Sequence, residues 1–337
     1  MNRIFVHGIG CVSPAGWGVP NLREALLQGE ALPTEILRRP GSKRPLFHRA
    51  VPPAPAKLPF MTHPRLRRSS PLTVYGAAAA LEALGTHDKQ KRLGVIFCVT
   101  GGCVQFSRRF YDETWRDPAK ASPLIFPETV FNAPSSHLSA VLESPHVNYT
   151  LLGDPSAVLQ AMGTAADWLT DGKVDQCLVI GAEESDWLLS DAYRLFSRQT
   201  ICAEGAGAML LSTEPSDVEL AQITDANLYL TLREQPHALK QVRATLSGTD
   251  NDALLCDSQS GATVRDQPEV RAWADWAGKR LSPKKILGEG LAAGAAWQCV
   301  AGIDALRNEG HESALISVAG THEHAIGARF VRATLEK

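Results

Sequence analysis

The sequence lacks several features that would direct its function. The net charge of the 337 residues is only −2, and aromatic residues make up 7% of them. A nearly neutral overall charge and a small share of aromatic residues do not favour nucleic-acid binding. The opening, MNRIFVHGIGCVSP, reaches glycine and proline too early for a secretion signal or a membrane helix. We therefore expect a cytoplasmic protein without nucleic-acid or membrane partners.

Metal and disulfide motifs are also missing. The seven cysteines show no CxxC or zinc-ligand spacing, and most lie in apolar runs, so we expect buried, unreactive thiols. His322 and His324, in the segment THEH, resemble a metal pair, but no third ligand accompanies them, and exposed loop histidines are the better interpretation. The sequence thus predicts no metal site and no cofactor.

Strand and helix patterns alternate along the chain, which predicts an α/β fold with a largely buried sheet. Apolar runs such as GVIFCV and CLVIGAE read as strands, and the segments after them as helices. The order begins again after Pro215. We expect two topologically related halves, residues 1–215 and residues 216–337, without a direct sequence repeat.

One segment departs from this alternation. Residues 37–70 contain nine Lys or Arg residues, seven prolines and no acidic residue. This composition predicts an irregular, basic, proline-rich surface loop.

Several motifs, in order and spacing, resemble those of the β-ketoacyl synthases of the thiolase superfamily. They include VHGIGCVSPAGWG, the block from TVFNAPSS to LVIGAEES, EGAGAMLL, KKILGEGLAAGAA and SVAGTHE. The resemblance covers nearly the whole chain and implies a five-layer αβαβα fold of two related halves. It also implies a site in which a cysteine accepts the acyl group and two histidines assist decarboxylation.

The residues that correspond to this catalytic set have changed. The resemblance places Pro155 at the nucleophile, Ser258 at the first histidine, in SQSGATVRD, and Glu289 at the second, in KKILGE. Other residues of these motifs are retained, namely Lys284, Gly288, Gly261 and Asp266. Proline has no nucleophilic group, and a carboxylate at position 289 would repel a developing enolate, so we expect no condensing activity.

The sequence leaves alternatives for the role of Ser156 and for the ion-pair partner of Lys284. Ser156 could substitute as a nucleophile, with Asp257 or Glu289 as its partner, although a serine in a first helical turn usually bonds to backbone or water. Lys284 could form a structural ion pair with Glu289 or with Glu204. Pairing with Glu289 requires a turn between the two, because residues five apart do not share a helix face.

The resemblance extends to chain-length factors, the inactive partners of active β-ketoacyl synthases in type II polyketide systems. In its short length and changed catalytic set, the chain resembles the small ketosynthase-like partner of bacterial aryl polyene pathways. The resemblance implies a heterodimer with an active synthase through the strand at residues 146–153. In this heterodimer the chain would stabilise the synthase and help to shape the acyl-chain tunnel. The loop between GAE and EGAG is short, so an internal pocket should be small or collapsed, with the tunnel mostly in the partner or at the interface.

An acyl carrier protein is the other partner that the resemblance implies. Carrier proteins of this family are acidic, and Arg65, Arg67 and Arg68 are candidates for transient docking. The equal alternative is a solvated loop that balances acidic charge elsewhere. Two further functions stay open: a stand-alone acyltransferase or hydrolase with a non-standard nucleophile, and a scaffold that never touches the product.

Overall fold

The chain folds into alternating strands and helices, and the computed structural model describes residues 2–55, 58–85, 90–143, 146–246, 253–320 and 323–334. The strands are β1 (Ile4–Ser13), β2 (Gly16–Trp17), β3 (Glu35–Leu37), β4 (Leu46–Arg49), β5 (Leu93–Val99), β6 (Val147–Leu152), β7 (Gln176–Glu183), β8 (Cys202–Ala203), β9 (Gly205–Ser212), β10 (Val218–Ile223), β11 (Asn227–Tyr229), β12 (Leu254–Cys256), β13 (Arg280–Leu281), β14 (Ser313–Ala319) and β15 (Glu323–Arg332).

The helices occupy the segments between these strands. They are α1 (Val19–Gln28), α2 (Pro71–Leu84), α3 (Val104–Arg116), α4 (Ala133–Val141), α5 (Ala157–Thr170), α6 (Trp187–Tyr193), α7 (Gln235–Leu246), α8 (Thr263–Ala272), α9 (Pro283–Leu287) and α10 (Ala292–Asn308). Short 3-10 helices lie at Pro59–Thr62, Pro64–Leu66, Pro118–Lys120 and Phe126–Glu128. None of the helices in the described ranges has both the length and the apolar character needed to cross a bilayer.

The order of the strands repeats between the two halves. The N-terminal strands run β1-β9-β7-β5-β6, and the C-terminal strands run β10-β15-β14-β12-β13. In each series the first two pairings are antiparallel and the last two are parallel. A short antiparallel contact between β1 and β10 joins the halves. The predicted duplication of topology is therefore confirmed, while the boundary between residues 215 and 216 stays a prediction.

Burial within the strands confirms the predicted five layers. In β5, Val95 and Phe97 face a core that includes α2 and α4, whereas Ile96 and Cys98 face a second core around α5 and α10. The same second core receives β12, β14 and β15 from the other half, and Leu255 and Leu315 face a third core with α7. Because side chains alternate across a strand, each sheet is covered by helices on both faces.

The helices approach the sheets closely at glycines. A Cβ atom at Gly10 of β1 would lie 2.0 Å from the carbonyl oxygen of Ala79 in α2. A Cβ atom at Gly181 of β7 would lie 2.4 Å from the carbonyl oxygen of Ala292, at the start of α10. Both distances are far below van der Waals contact, so the packing of these layers requires the absence of a side chain.

The basic segment 37–70 is only partly irregular, which corrects the prediction. It contains β4, which pairs with β3 on one side and in parallel with β8 on the other, and Leu46, His48 and Arg49 are buried. A prediction from proline and charge alone missed this strand because four residues are too few to show a pattern beside prolines.

Three boundaries also differ from what the sequence pattern indicates. The pattern from residue 155 to residue 171 is typical of a helix, but α5 begins at Ala157, because Ala157 and Val158 donate to the carbonyl oxygens three residues earlier, as in a turn. Residues 221–232 read as one strand, and the structure has β10 and β11 there. Residues 268–278 read as a helix, whereas α8 begins earlier and includes Pro268. Asp266 accepts the backbone N–H of Gly261 and fixes the turn that precedes α8.

Two glycine substitutions test the close packing. We expect Gly10→Ala to lower the free energy of unfolding by about 2–4 kcal/mol, because the new methyl group overlaps the α2 backbone. Gly163→Ala, in α5, is the control: its Cβ would meet no atom within 4 Å, so stability should be unchanged or rise by up to about 1 kcal/mol. Urea unfolding of the purified chain, alone or in complex, measures both. Equal effects from the two substitutions would contradict the packing argument.

Candidate functional site

The turn between β6 and α5 contains the position predicted for the nucleophile. Pro155 is buried in this turn, ahead of the helix. The neighbouring Asp154 accepts the backbone N–H of His324 at 3.2 Å, and a Cβ atom at Gly320 would collide with its carboxylate. Burial raises the pKa of Asp154, although hydrogen bonds from Ser156 oppose this effect. The turn is thus tied to the final hairpin of the other half, with no reactive group at residue 155.

Ser156, the proposed substitute nucleophile, has no exposed surface. Its hydroxyl group donates to the Asp154 carboxylate and accepts from the side-chain amide of Gln160 at 2.8 Å. The carboxylate partner of Ser156 is therefore Asp154, not Asp257 or Glu289 as the sequence had suggested. The Ser156 hydroxyl is therefore buried with both its donor and an acceptor position occupied, and it stabilises the turn.

Ser258, which the sequence predicts at the position of the first histidine, also makes hydrogen bonds through both its hydroxyl and its backbone. Its hydroxyl group donates to the carbonyl oxygen of Ser317 at 2.9 Å and accepts from the backbone N–H of Ala319 at 3.0 Å. Its own backbone N–H donates to the carboxylate of Glu269 at 2.9 Å. Ser258 consequently joins the segment after β12 to β14 and α8.

Glu269 was not anticipated as a site residue. Its carboxylate is buried, and it also accepts the hydroxyl group of Ser317 at 2.7 Å. Burial raises the pKa of Glu269, and the negative charge of Asp257 adds to this effect. Nothing in the sequence marks Glu269, because it is an ordinary acidic residue within a helix and its partners come from distant strands.

Glu289, which the sequence predicts at the position of the second histidine, pairs with Lys284. The two charged groups are 3.1 Å apart, and only 1% of the Lys284 side chain is exposed. The turn that this pairing requires is present, because α9 ends at Leu287 and Gly288 follows with φ 93°. Of the two partners predicted for Lys284, Glu289 is confirmed, while Glu204 instead accepts the hydroxyl group of Tyr75 at 2.9 Å.

Some of these residues line a small cavity, which Pro155 and Ser156 do not reach. Ser258, Glu269, Glu289 and Gly320 line a space of about 40 Å³, and neither a thiol nor an imidazole is among the described lining residues. This volume is sufficient for water but not for an acyl chain. The prediction of a small internal pocket is confirmed.

The thiols lie elsewhere and are buried, as predicted for all seven: Cys11, Cys98, Cys103, Cys177, Cys202, Cys256 and Cys299. Burial raises the pKa of Cys202 to about 12 and that of Cys103 to about 12, so these thiols are protonated at neutral pH. His322 lies outside the described residues. His324 is a half-buried residue of β15 that pairs with Leu228 of β11, so the prediction of an exposed loop position is wrong for this residue. No group of three metal-ligating side chains occurs within the described part of the chain.

The three docking candidates lie on the surface. Arg65, Arg67 and Arg68 are exposed on and directly after the 3-10 helix at Pro64–Leu66, which buried Leu66 anchors. They are separate from the cavity and available to a partner.

The ion pair between Lys284 and Glu289 is open to a stability test. We expect Glu289→Gln to lower the free energy of unfolding by about 3–5 kcal/mol, because it leaves a buried lysine without its counter-charge. The double variant Lys284→Met/Glu289→Gln removes both charges and should recover most of that loss. Urea unfolding of the wild type, both single variants and the double variant measures the coupling. Additive losses would show that the two residues do not act as a pair.

Comparison with known proteins agrees with this architecture. The ishigamide ketosynthase/chain length factor has a similar structure, with a TM-score of 0.81 and 16% identity over 98% of this chain and 100% of that chain. The ketosynthase ApeO in complex with its chain length factor ApeC, from Xenorhabdus doucetiae, gives a TM-score of 0.80 and 16% identity over 98% of both chains. At such low identities these likenesses show the fold.

The sequence itself gives the family. No curated protein matches the chain. Residues 1–215, more than half of the sequence, match the model of the β-ketoacyl synthase N-terminal domain. On this match and on the five-layer fold, the chain belongs to the β-ketoacyl synthase family.

Proposed function

We propose that the chain is a non-condensing member of its family, a chain-length factor that pairs with an active β-ketoacyl synthase. The observation that carries this proposal is the small cavity, where Ser258 and Glu289 occupy the positions predicted for the two histidines. Glu289 is committed to Lys284, and Pro155 stands at the predicted nucleophile position. The pair would act in type II polyketide or fatty-acid biosynthesis of the aryl polyene kind, in the cytoplasm.

The chemistry of these groups supports an inactive subunit. Acyl transfer needs a nucleophile that can attack a thioester, and proline offers neither a side-chain nucleophile nor a backbone N–H. Decarboxylation develops an enolate, which neutral donors stabilise and a neighbouring carboxylate repels. The hydroxyl group of Ser258 cannot replace the donor, because it already donates to the carbonyl of Ser317.

The edge of the N-terminal sheet supports pairing with a second chain. β6 ends the series of strands and pairs only with β5 among the described strands. Tyr149 and Leu152 of β6 are each 55% exposed. An edge strand with exposed apolar side chains invites association, so a partner strand is the natural cover.

Further apolar surface lies on segments that contact this edge. Ser135 in α4 donates to the side chain of Asn148 in β6 at 2.5 Å, which fixes α4 beside the strand. Phe126, Val130 and Phe131, just before α4, are each more than two-fifths exposed. The proposed interface therefore extends from β6 across the segment that precedes α4.

The small cavity bears on how such a subunit would contribute to product length. A chain with about 40 Å³ beside its former catalytic positions cannot hold an extended acyl group there. We propose that the tunnel lies in the partner or at the interface, with this chain providing one wall. A scaffold that only stabilises its partner is the alternative. Substituting apolar residues of the interface and measuring product length separates the two, because only a wall changes the length.

Co-expression tests the pairing. We expect a 1:1 complex when the chain is produced with an active β-ketoacyl synthase, and insoluble or self-paired protein when it is produced alone. Tyr149→Glu/Leu152→Glu should abolish the complex, because it places charge at the proposed interface. Leu27→Glu, at an exposed leucine of α1, is the matched control. Co-purification and light scattering measure the assembly; a stable, soluble monomer of the lone chain would count against the proposal.

Mass spectrometry tests the alternative of a stand-alone acyltransferase or hydrolase. We expect no acyl-protein adduct after incubation with acyl thioesters, because Ser156 is buried and the described cysteines are protonated. An active β-ketoacyl synthase, incubated in the same way, is the positive control. An adduct that disappears in Ser156→Ala would establish the alternative function.

Charge reversal tests carrier-protein docking. Arg65→Glu/Arg67→Glu/Arg68→Glu should slow carrier-dependent turnover of the assembled pair by about tenfold or more at low salt, with a smaller effect at high salt. Arg233→Glu, an exposed arginine on another segment, is the control. Unchanged turnover would leave the basic segment as a solvated loop.

A further inference from the structure

A second pocket lies on the surface and has a different character from the cavity. Two segments of the chain form it, the loop between β3 and β4 and the segment that follows α6. Arg39 and Arg44 come from the first, and Arg194 and Arg198 from the second. The pocket has a volume of about 450 Å³, which is in the range of small-molecule sites.

The charge of this arginine pocket is not balanced. Asp191 is the acidic residue of the lining, and it is already paired with Arg39 at 2.5 Å. Arg44 and Arg198 have no ion-pair partner within the described residues, and Arg194 makes only a long contact of 3.5 Å, to the carbonyl oxygen of Pro45. Three guanidinium groups therefore face one concave space without a counter-charge, an arrangement that attracts an anion.

An apolar slot adjoins the arginine pocket. The two share Leu46, Arg194 and Arg198, and the slot continues between Phe47 and Ile201 with a volume of about 140 Å³. The slot is thus suited to a short uncharged chain, and the arginine pocket to its charged end.

We propose that the arginine pocket binds the phosphate group of a small phosphate monoester whose short alkyl or similarly uncharged chain enters the slot. Guanidinium groups bind phosphate through paired N–H donors, and convergence from two segments suits a group with several acceptor oxygens. The site lies outside the former catalytic cavity and does not depend on the proposed function.

A structural role explains two of the four arginines in the pocket but not the other two. Arg39 has one, because it pairs with Asp191 and lies 5.7 Å from the ring of Trp187. Arg194 lies at the carboxyl end of α6, where a cation is favourable. Neither argument applies to Arg44 and Arg198, which no acidic side chain holds in the described structure.

Calorimetric titration with inorganic phosphate and with n-butyl phosphate tests the proposal, on the chain alone or in its complex. We expect butyl phosphate to bind about tenfold more tightly, because its chain is removed from water in the slot. Arg194→Gln/Arg198→Gln should weaken both ligands by about tenfold or more. Arg44→Gln, from the other segment, should also weaken both.

Two further variants separate the parts of the site. Phe47→Ala should remove the advantage of butyl phosphate and leave the affinity for inorganic phosphate unchanged. Arg271→Gln, at an exposed arginine of α8, should alter neither affinity. Thermal unfolding checks that each variant is folded. Absence of phosphate binding to the wild type, or equal binding by the wild type and the folded Arg194→Gln/Arg198→Gln variant, would overturn the proposal.

Discussion

The structure depends on a helical layer that is enclosed between two sheets. α10 is buried through Leu306, nearly its entire length, and packs against strands of both halves. Its Trp297 donates its indole N–H to the carbonyl oxygens of Val12 and Ala206, both at 3.1 Å. Small residues on the helix and glycines on the strands allow this approach. Because each half covers the other half's inner face, neither sheet could retain its buried surface alone.

This enclosure also constrains the backbone at the three positions predicted for the catalytic set. Pro155, Ser258 and Glu289 lie in turns or loops between elements of the fold. The side chains of Ser258 and Glu289 each make contacts that hold these segments in place. Ser258 closes a hydrogen-bond network with Glu269, and Glu289 neutralises a buried lysine. Buried polar groups are tolerated only when such partners are present.

Much of the fold could be predicted from the sequence, because long apolar runs and glycine or proline boundaries carry strong local signals. β5, β7 and β9 are buried on both faces and therefore read as continuous apolar runs. β4 was missed because it has four residues among prolines and arginines. The start of α5 differs from the sequence pattern by two residues, since the hydrogen bond from the Ser156 N–H to the Asp154 carboxylate depends on side-chain geometry.

The candidate site also combines features that the sequence predicts with features that it does not. Pairing of Lys284 with Glu289 is one of two alternatives, and their spacing requires a turn between them, which the structure has at Gly288. The roles of Glu269 and of the arginine pocket could not be anticipated, because they unite residues from distant parts of the chain. The volume of the cavity likewise depends on how distant segments pack, so a local sequence pattern cannot predict it.

One short strand, β8, links the basic segment to the turn that contains Glu289. β8 pairs with β4, inside the basic segment. Ala203 of β8 also donates its N–H to the carbonyl oxygen of Glu289, and the N–H of Glu289 donates to the carbonyl oxygen of Ile201, directly before β8. Backbone hydrogen bonds through this two-residue strand therefore connect the basic segment to the residue that forms the buried ion pair. The position of β4 and the path of the chain at Glu289 are fixed by the same strand.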